Sequence, residues 1–168
     1  MYSFGGYKNV NKIQYKKINL LLIINYFFRK LNEKKKMMKS STKTRIRYSE
    51  TDQMGVVYHG NYAQFFEMGR TEWLRSLGLS YKDMENSGLM LPVIAINFNF
   101  IKSALYDDVL TIHTFLKKEP LVKIEFTYEI KNQKNELICT GSSVLAFMQI
   151  KTMKPTRCPE YLLKGLGF

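Results

Sequence analysis

The sequence predicts a two-layer α+β domain in which one long helix packs on an antiparallel sheet. Two observations lead to this prediction. Residues 61–77 carry apolar side chains at the spacing of one helix face, and the residues from 91 onward read as successive strand-like runs separated by short turns. Short turns join antiparallel strands, and an amphipathic helix must bury its apolar stripe, so the sheet is the expected partner of the helix.

A first strand and a short second helix are predicted on either side of the long helix. Residues 43–49, TKTRIRY, alternate between two faces, as is typical of a strand. One of these faces would carry Thr44, Ile46 and Tyr48. Residues 80–88, SYKDMENSG, predict a short helix in which Ser80 is the cap and Asp83 completes an approximate capping box.

The long helix is predicted from Asn61, where the apolar period changes to that of a helix. Asn61 is a suitable N-terminal cap, and Gly78 is a suitable stop because helices commonly end on a residue with positive φ. The apolar stripe consists of Tyr62, Phe65, Phe66, Gly69, Trp73 and Leu77. The charged side chains that lie largely off this stripe are Glu67, Arg70, Glu72 and Arg75.

The remaining strands follow as four runs rich in β-branched and aromatic residues. These runs are 91–101, 108–118, 121–131 and 136–150. Alternation is cleanest in LVKIEFTYEIK, whose predicted inward side chains are Val122, Ile124, Phe126, Tyr128 and Ile130. The segment NQKN at 132–135 predicts a hairpin turn, and Gly141 predicts a bend in the last strand.

The formal net charge of +12 is distributed unevenly along the 168 residues. Residues 1–36 contain nine Lys or Arg and one acid, whereas residues 37–168 contain seventeen bases and thirteen acids. The second region is only mildly basic and shows no clustered basic face with interleaved aromatic residues, so nucleic-acid binding is not expected. The apolar share of 45% is that of a folded domain rather than a disordered chain.

The first forty residues differ in character from the rest. Their apolar run INLLLIINYFF is 11 residues long, short of the roughly 20 that span a bilayer. The basic segment RKLNEKKK follows it without a small-residue cleavage site and favours the cytoplasmic side. Three interpretations remain: a basic anchor on a membrane surface, an uncleaved signal, and upstream sequence that is not part of the native protein, which Met37 and Met38 favour. We predict an extension at 1–40, a folded domain at 41–160 and a C-terminal tail at 161–168.

Neither the cysteines nor the histidines are spaced like metal ligands. Cys139 and Cys158 form no CxxC pair, and His59 and His113 are single, whereas a structural zinc site needs four ligands at short spacings. We therefore expect no metal and no bound cofactor. Two separated cysteines also argue against a disulfide framework, which fits a reducing, cytoplasmic compartment.

The segment YSETDQMGVVYHGNY, residues 48–62, fits neither the helical nor the strand period. It belongs to the stretch RYSETDQMGVVYHGNYAQFFEMGRTEWLRSLG, which resembles the signature of the 4-hydroxybenzoyl-CoA thioesterase family, and most of all its Tol-Pal-associated acyl-CoA thioesterases. The resemblance extends through INFNFIKSALYDDVLTI and FTYEI and covers about residues 43–150. It implies a hotdog fold, in which an antiparallel five-stranded sheet wraps around one long central helix. It also implies a homodimer or homotetramer with active sites at the dimer interface.

The resemblance implies that the protein hydrolyses an acyl-CoA to a free acid and coenzyme A, with Asp52 as the catalytic carboxylate. A carboxylate at the mouth of an acyl pocket either deprotonates water or attacks the thioester carbonyl directly. His59 would act through its ring or through its backbone N–H, which lies near the helix start and suits an oxyanion. Tyr48 would hydrogen-bond the carboxylate or a water molecule.

Four further residues are candidates for contact with the substrate. Gly55 lets the thioester approach closely, and Tyr58 would line the acyl pocket. Asn61 would fix the loop, and Glu67 is an alternative carboxylate because another branch of hotdog thioesterases uses one on the helix. The phosphates of coenzyme A require cations near the pocket, and the candidates are Lys102, Lys117, Lys118 and Lys123.

Three other functions fit the same features. A dehydratase of hydroxyacyl thioesters would use the same fold with a histidine and a carboxylate. A thioesterase acting on acyl-carrier-protein or on 1,4-dihydroxy-2-naphthoyl-CoA differs only in substrate. A non-catalytic acyl-thioester-binding module would bind the ester without turnover, and the basic segment 1–36 would then serve for association with a membrane surface.

Overall fold

The structure is a computed structural model that describes residues 22–29, 31 and 38–168. The chain divides into two units, Met1–Lys36 and Met37–Phe168. In the first unit, residues 22–29 are helical and expose their apolar side chains. The other predictions for this unit lie outside the described residues. None of the described helices is long and apolar enough to cross a membrane.

The second unit contains a five-stranded sheet in which every neighbouring pair is antiparallel. Its strands are β1 (Lys39–Arg45), β3 (Val93–Phe100), β4 (Val109–Leu116), β5 (Lys123–Lys131) and β6 (Leu137–Ala146). The order β1-β4-β5-β6-β3 makes β1 and β3 the two edges. The turn at 132–135 joins β5 to β6 as predicted, with the Asn135 N–H donating to the Asn132 carbonyl at 2.9 Å. Val122 precedes β5 and is exposed, so its predicted inward position is wrong.

Three α-helices and a small second sheet complete this unit as described from residue 38. They are α1 (Asn61–Ser76), α2 (Tyr81–Asn86), α3 (Glu160–Gly165) and the strands β2 (Leu89–Met90) and β7 (Met148–Gln149). α1 ends ahead of Gly78, whose φ is +74°, as predicted. Ser80 caps α2 by accepting the Asp83 N–H at 3.1 Å. One long helix on one antiparallel sheet confirms the α+β hotdog fold.

α1 lies on the inner face of the sheet because its apolar stripe is buried there. Phe66 stacks on Tyr128 of β5 with ring centroids 4.0 Å apart, and Trp73 packs edge-on against Phe126 at 5.3 Å. Gly141 permits this approach, since a Cβ there would lie 2.7 Å from the Phe66 ring. Burial of a large apolar side chain stabilises a fold by roughly 1.5–3 kcal/mol. The helix is therefore held in one position, from which its first residues form part of a cleft.

The N-terminal part of the second unit differs from the prediction. The first strand spans Lys39–Arg45 rather than 43–49, because Tyr48 begins a short 3-10 helix, Tyr48–Glu50. Ile46 is buried, as its place in the predicted face requires, but Tyr48 is 80% exposed. The alternation TKTRIRY therefore identified an inward-pointing side chain correctly and misplaced the end of the strand.

The C-terminal residues belong to the core rather than to a tail. Leu162 and Leu166 are fully buried among the core residues, and the second unit extends to the last residue. The predicted limits 41–160 are therefore too narrow at both ends, since β1 already begins at residue 39. β6 pairs with β3 through Gly141 without a register shift, and the predicted bend at this residue stays a prediction.

Arg70 is a charged residue of α1 that the structure buries, with only 5% of its surface exposed. Its Nε donates to the Tyr81 hydroxyl at 3.2 Å, and its Nη2 lies 3.5 Å from a Glu67 carboxylate oxygen. Arg70 also hydrogen-bonds Tyr128, whose hydroxyl lies 2.7 Å from the Ser143 Oγ. A buried charge is tolerated when it is paired and hydrogen-bonded. This network meets both conditions between α1 and the sheet.

Candidate active site

The loop between the 3-10 helix and α1 makes a tight turn at Asp52. The Gly55 N–H donates to the Asp52 carbonyl at 2.9 Å, and the φ of Gly55 is +76°, a conformation that glycine adopts without steric cost. The Asp52 N–H in turn donates to the Val56 carbonyl at 2.9 Å. Gly55 therefore shapes the turn that presents the Asp52 side chain.

Hydrogen bonds attach this loop to segments on both sides. The Val57 N–H donates to the Ala104 carbonyl at 2.9 Å. The Asn61 Nδ2 donates to the Glu50 carbonyl at 2.8 Å. Gly60 occupies the N-cap position of α1 and makes no side-chain cap, so the prediction of Asn61 as the cap is wrong. Asn61 does hold the loop against the 3-10 helix.

The Asp52 carboxylate is partly buried and is only partly used in hydrogen bonding. Its Oδ1 accepts the Met54 N–H at 2.9 Å. Among the described residues, no other donor bonds to this carboxylate, so Oδ2 is available to a ligand. An ionised carboxylate with a free oxygen is able to act as a general base or as a nucleophile.

The start of α1 presents backbone donors without acceptors. In the part of the chain that the structure describes, no oxygen accepts the N–H groups of His59 and Gly60. The next two groups along the chain, those of Asn61 and Tyr62, donate to the carbonyl oxygens of Tyr58 and His59 at 2.9 and 3.3 Å. Unpaired N–H groups at a helix start carry partial positive charge. Such groups stabilise an oxyanion in acyl transfer.

Asp52 and His59 line one cleft of about 250 Å³. The other lining residues are mostly apolar or aromatic, and they are Met54, Val56, Val57, Tyr62, Phe100, Ile101, Lys102 and Ser103. The cleft is smaller than the roughly 300–1,000 Å³ of pockets for drug-sized ligands. Its size and lining suit an acyl group, with the carboxylate and the helix start available for chemistry at its carbonyl.

Lys102 is a cation in the lining of the cleft. Its ammonium group is paired with the Glu136 carboxylate. Hydrogen bonds from Lys102 and from Asn132 lower the pKa of Glu136, in that order of importance. The other lysine candidates differ, because Lys117 and Lys118 pair with Glu125 on β5, at 3.5 and 2.9 Å, rather than lining the cleft.

The Tyr62 phenol of the cleft and the two cysteine thiols of the chain stay protonated at neutral pH. Burial raises the pKa of Tyr62 to about 12, with the Cys139 thiol adding to this and a hydrogen bond with the Ala104 backbone opposing it. Burial likewise raises the pKa values of Cys139 and Cys158, to about 11 and about 12. These cysteines are therefore not activated nucleophiles. The described residues contain no group of three or more His, Cys, Asp or Glu suited to a metal ion.

The remaining predicted site residues lie outside the lining of this cleft. Tyr48 is exposed and packs edge-on against Tyr106, with centroids 5.7 Å apart. The Tyr58 ring lies at 4.3 Å from the His59 ring, at the surface. Glu67 lies in a separate groove on the solvent side of α1. The structure therefore brings Asp52 together with His59 and does not bring them together with Tyr48, Tyr58 or Glu67.

Tyr62 and Phe100 line the cleft, whereas the sequence indicated only a place on the apolar stripe of the helix for Tyr62 and a place in a strand-like run for Phe100. Both are aromatic residues within a regular apolar period, and such a period indicates a core face. Their positions carry the missed signal, because Tyr62 is the second residue of α1 and Phe100 is the last residue of β3. Residues at the ends of elements are the ones that border a cleft between them.

Comparisons with known proteins show similarity to thioesterases. The family model described as "Thioesterase-like superfamily" matches residues 46–166. The solved structure of a DHNA-CoA thioesterase from Staphylococcus aureus is 43% identical with a TM-score of 0.69, and the match covers 71% of this chain and 80% of that one. The acyl-CoA thioesterase YbgC of Haemophilus influenzae is 32% identical over 118 residues, which cover 69% of this chain and 85% of YbgC. YneP of Bacillus subtilis is 36% identical over 116 residues, which cover 69% of this chain and 84% of YneP.

Proposed function

This chain belongs to the thioesterase-like superfamily, and from that membership we propose that Asp52 is the catalytic carboxylate of a reaction in the cleft at the start of α1. The protein is a thioester hydrolase that converts an acyl-CoA to a free acid and coenzyme A. One observation supports the assignment of the site: a carboxylate with a free oxygen shares a cleft with His59, whose backbone N–H has no acceptor among the described residues. Acyl transfer needs both groups.

In the proposed mechanism, the thioester carbonyl lies between Asp52 and the first residues of α1. The free oxygen of Asp52 either removes a proton from an attacking water molecule or attacks the carbonyl carbon itself to form an anhydride that water then hydrolyses. The backbone N–H groups of His59 and Gly60 stabilise the negative charge on the carbonyl oxygen, and one such donor is worth roughly 10²–10³ in rate. The thiolate of coenzyme A leaves, and the free acid follows.

Lys102 is proposed to contact the phosphates of coenzyme A. It lines the cleft, and its partner Glu136 is the competing acid. A phosphate with two negative charges attracts an ammonium group more strongly than a single carboxylate does. Binding of the substrate would therefore exchange one partner of Lys102 for another, and Glu136 would keep the hydrogen bond from the Asn132 amide.

A second candidate substrate is 1,4-dihydroxy-2-naphthoyl-CoA. The Staphylococcus aureus protein that is 43% identical to this chain is named a DHNA-CoA thioesterase. The aromatic lining of the cleft by Tyr62 and Phe100 also favours a planar acyl group. Action on acyl-carrier-protein stays a prediction, as do membership of the 4-hydroxybenzoyl-CoA branch and a link to the Tol-Pal system.

We further propose that the active unit is a homodimer formed along β3. Among the described strands, β3 pairs with β6 alone, and Val93, Ile94 and Ile96 are exposed on it. An exposed apolar edge strand is a ready template for pairing with another chain. Phe100 ends the same strand and lines the cleft, so a second copy would complete the site.

Ile94→Lys tests the dimer at a position outside the cleft. Burial of a lysine in the interface would leave its charge unpaired, so we expect a monomer by analytical ultracentrifugation and a lower kcat. Thr127→Lys, on the outer face of β5, is the matched control and should keep the wild-type mass. A dimer that persists in Ile94→Lys would contradict the proposed interface. Assembly of dimers into a homotetramer stays a prediction.

Residues 22–29 support association with a membrane surface. They form a helix with exposed Leu22, Ile23, Phe27 and Phe28, and the surrounding sequence is strongly basic. Apolar side chains beside basic residues are typical of helices that lie on anionic membranes. A cytoplasmic location with peripheral membrane association is therefore our proposal for this chain.

Asp52→Asn is the decisive test of the proposed site, with release of free thiol from a panel of acyl-CoA esters as the readout. The amide keeps the size of the side chain and removes the base or nucleophile, so kcat should fall by at least ~10²-fold. Glu67→Gln serves as the matched control, because this carboxylate lies in another groove, and it should stay close to wild type. Near-normal turnover in Asp52→Asn would remove Asp52 from the mechanism. A large loss of kcat in Glu67→Gln would assign the catalytic role to Glu67 instead.

The same panel separates the alternative functions. A dehydratase would convert hydroxyacyl-CoA without releasing thiol. An acyl-thioester-binding module would bind the esters tightly and release none. We expect the wild-type protein to hydrolyse at least one ester of the panel, and we expect Asp52→Asn to lose this hydrolysis.

A further inference from the structure

The inner wall of the cleft is an aromatic side chain that its neighbours hold in place. Tyr62 lines the cleft yet is only 3% exposed. Its ring packs edge-on against Phe65 at 5.6 Å and against Phe100 at 5.0 Å. Its hydroxyl is hydrogen-bonded with the Ala104 backbone, and the Ala104 carbonyl accepts the N–H of Val57, another residue of the lining. The ring therefore cannot swing aside without breaking these contacts.

A chain of aromatic contacts runs from the lining residue Phe100 to Phe66 and Tyr128, which are fully buried. Phe98 stacks on Phe100 with centroids 5.8 Å apart, and Phe66 packs on Phe98 at 5.0 Å. Phe66 also stacks on Tyr128 at 4.0 Å. Interiors packed in this way leave little free volume. An acyl chain longer than the cleft would have to displace rings that are already in contact.

A polar network lies beyond the rings, on the same path between α1 and the sheet. Arg70 donates to Tyr81 and contacts Tyr128, which bonds to Ser143. An apolar chain that reached this depth would separate buried donors from their acceptors. Each buried group left without a partner costs about 1–3 kcal/mol, and more when it is charged. The interior thus disfavours a long acyl chain for two independent reasons.

We propose that Tyr62 is the specificity-determining residue for the acyl group and sets the length that the cleft admits. Compact acyl groups, short chains or a small aromatic ring, fit in front of it, whereas long unbranched chains are excluded. The aromatic ring forms the wall, and its contacts with Phe65 and Phe100 hold the ring. This inference rests on the thioesterase function proposed above, and it adds the class of acyl group.

The test compares kcat/KM for butyryl-CoA and octanoyl-CoA in wild-type protein and in Tyr62→Leu. Removal of the ring should raise the ratio of kcat/KM for octanoyl-CoA to that for butyryl-CoA at least roughly tenfold. A difference of a few methylene groups in an apolar pocket changes kcat/KM by this much. Tyr62→Phe keeps the wall and should keep the wild-type ratio. Phe126→Leu loses a buried ring that packs on Trp73 and does not line the cleft, and it should also keep the ratio although it destabilises the fold.

Tyr62→Met is the second variant, because methionine is flexible and nearly fills the vacated space, so it should fold if Tyr62→Leu does not. Equilibrium binding of the same two esters is measured as well, since the wall acts on binding. Preferential binding of butyryl-CoA without hydrolysis of either ester would overturn the proposed activity. It would still support the role of Tyr62 in setting the acyl length. Equal kcat/KM for the two esters in wild-type protein would overturn the inference. So would an unchanged ratio in whichever of Tyr62→Leu and Tyr62→Met folds.

Discussion

Each of the two histidines of the chain lies near a carboxylate, but the surroundings of the two histidines differ. His59 shares a cleft with Asp52, at the start of α1. His113 lies on β4, where its Nδ1 is 2.7 Å from the Ser41 Oγ, and it pairs across the strands with Glu129. Each histidine thus has a carboxylate nearby, and His113 has a hydroxyl as well.

The groove at His113 is the larger of the two, at about 490 Å³. It lies on the face of the sheet that is turned away from α1, and it includes Lys39 and Lys131. β4 has a paired strand on either side, so its backbone groups are used in the sheet. The cleft at Asp52 differs because it has apolar walls and backbone N–H groups that find no acceptor among the described residues. Acid, base and hydroxyl groups in proximity are therefore not sufficient for acyl transfer, because the negative charge of the reaction must also develop next to unused donors.

The largest contrast is expected between the two carboxylates. Asp52→Asn should lose at least ~10²-fold in kcat, whereas Glu129→Gln should stay within about twofold, because Glu129 forms an exposed ion pair with Lys131 at 3.7 Å and exposed pairs contribute little. Thiol release from the preferred acyl-CoA measures both variants. A hundredfold loss in Glu129→Gln would mean that the outer face of the sheet takes part in the reaction.

A smaller contrast is expected between the two histidines. His59→Ala keeps the backbone N–H that we assign to the oxyanion, so kcat should fall by less than roughly tenfold, compared with 10²–10⁴ for loss of a general acid or base. His113→Ala should leave kcat unchanged and remove only the hydrogen bond with Ser41. Steady-state kinetics of both variants decides the role of His59, since a loss beyond ~10² would assign the reaction to its ring.

The smallest contrast is expected between two lysines. Lys102→Ala should raise the KM for acyl-CoA by roughly two- to fivefold with little change in kcat, because an exposed ion pair contributes about this much to binding. The KM effect should shrink as salt is added, since screening weakens such contacts. Lys131→Ala, beside His113, should change neither constant. An unaltered KM in Lys102→Ala at low salt would place the phosphates of coenzyme A elsewhere.

Local periods in the sequence determined most of the architecture. The alternation in β5 buries Ile124, Phe126, Tyr128 and Ile130 as predicted, since successive side chains of a strand point to opposite faces. The cap at Ser80 was also predicted, because a cap depends on residues three positions apart. The motif at 48–62 indicated Asp52 and His59, which lie in one cleft. All these features depend on neighbours along the chain, which a single sequence displays.

Only the tertiary structure decided which distant segments meet. Arg70 is buried because Tyr81 and Tyr128 lie within reach of its guanidinium, although its place on the helix suggested solvent. The inner wall of the cleft arises because the start of α1 meets the end of β3, 38 positions apart at Tyr62 and Phe100. A local period shows which side of an element is apolar. Strand register and helix position determine what that side touches, and these follow from packing of the whole core.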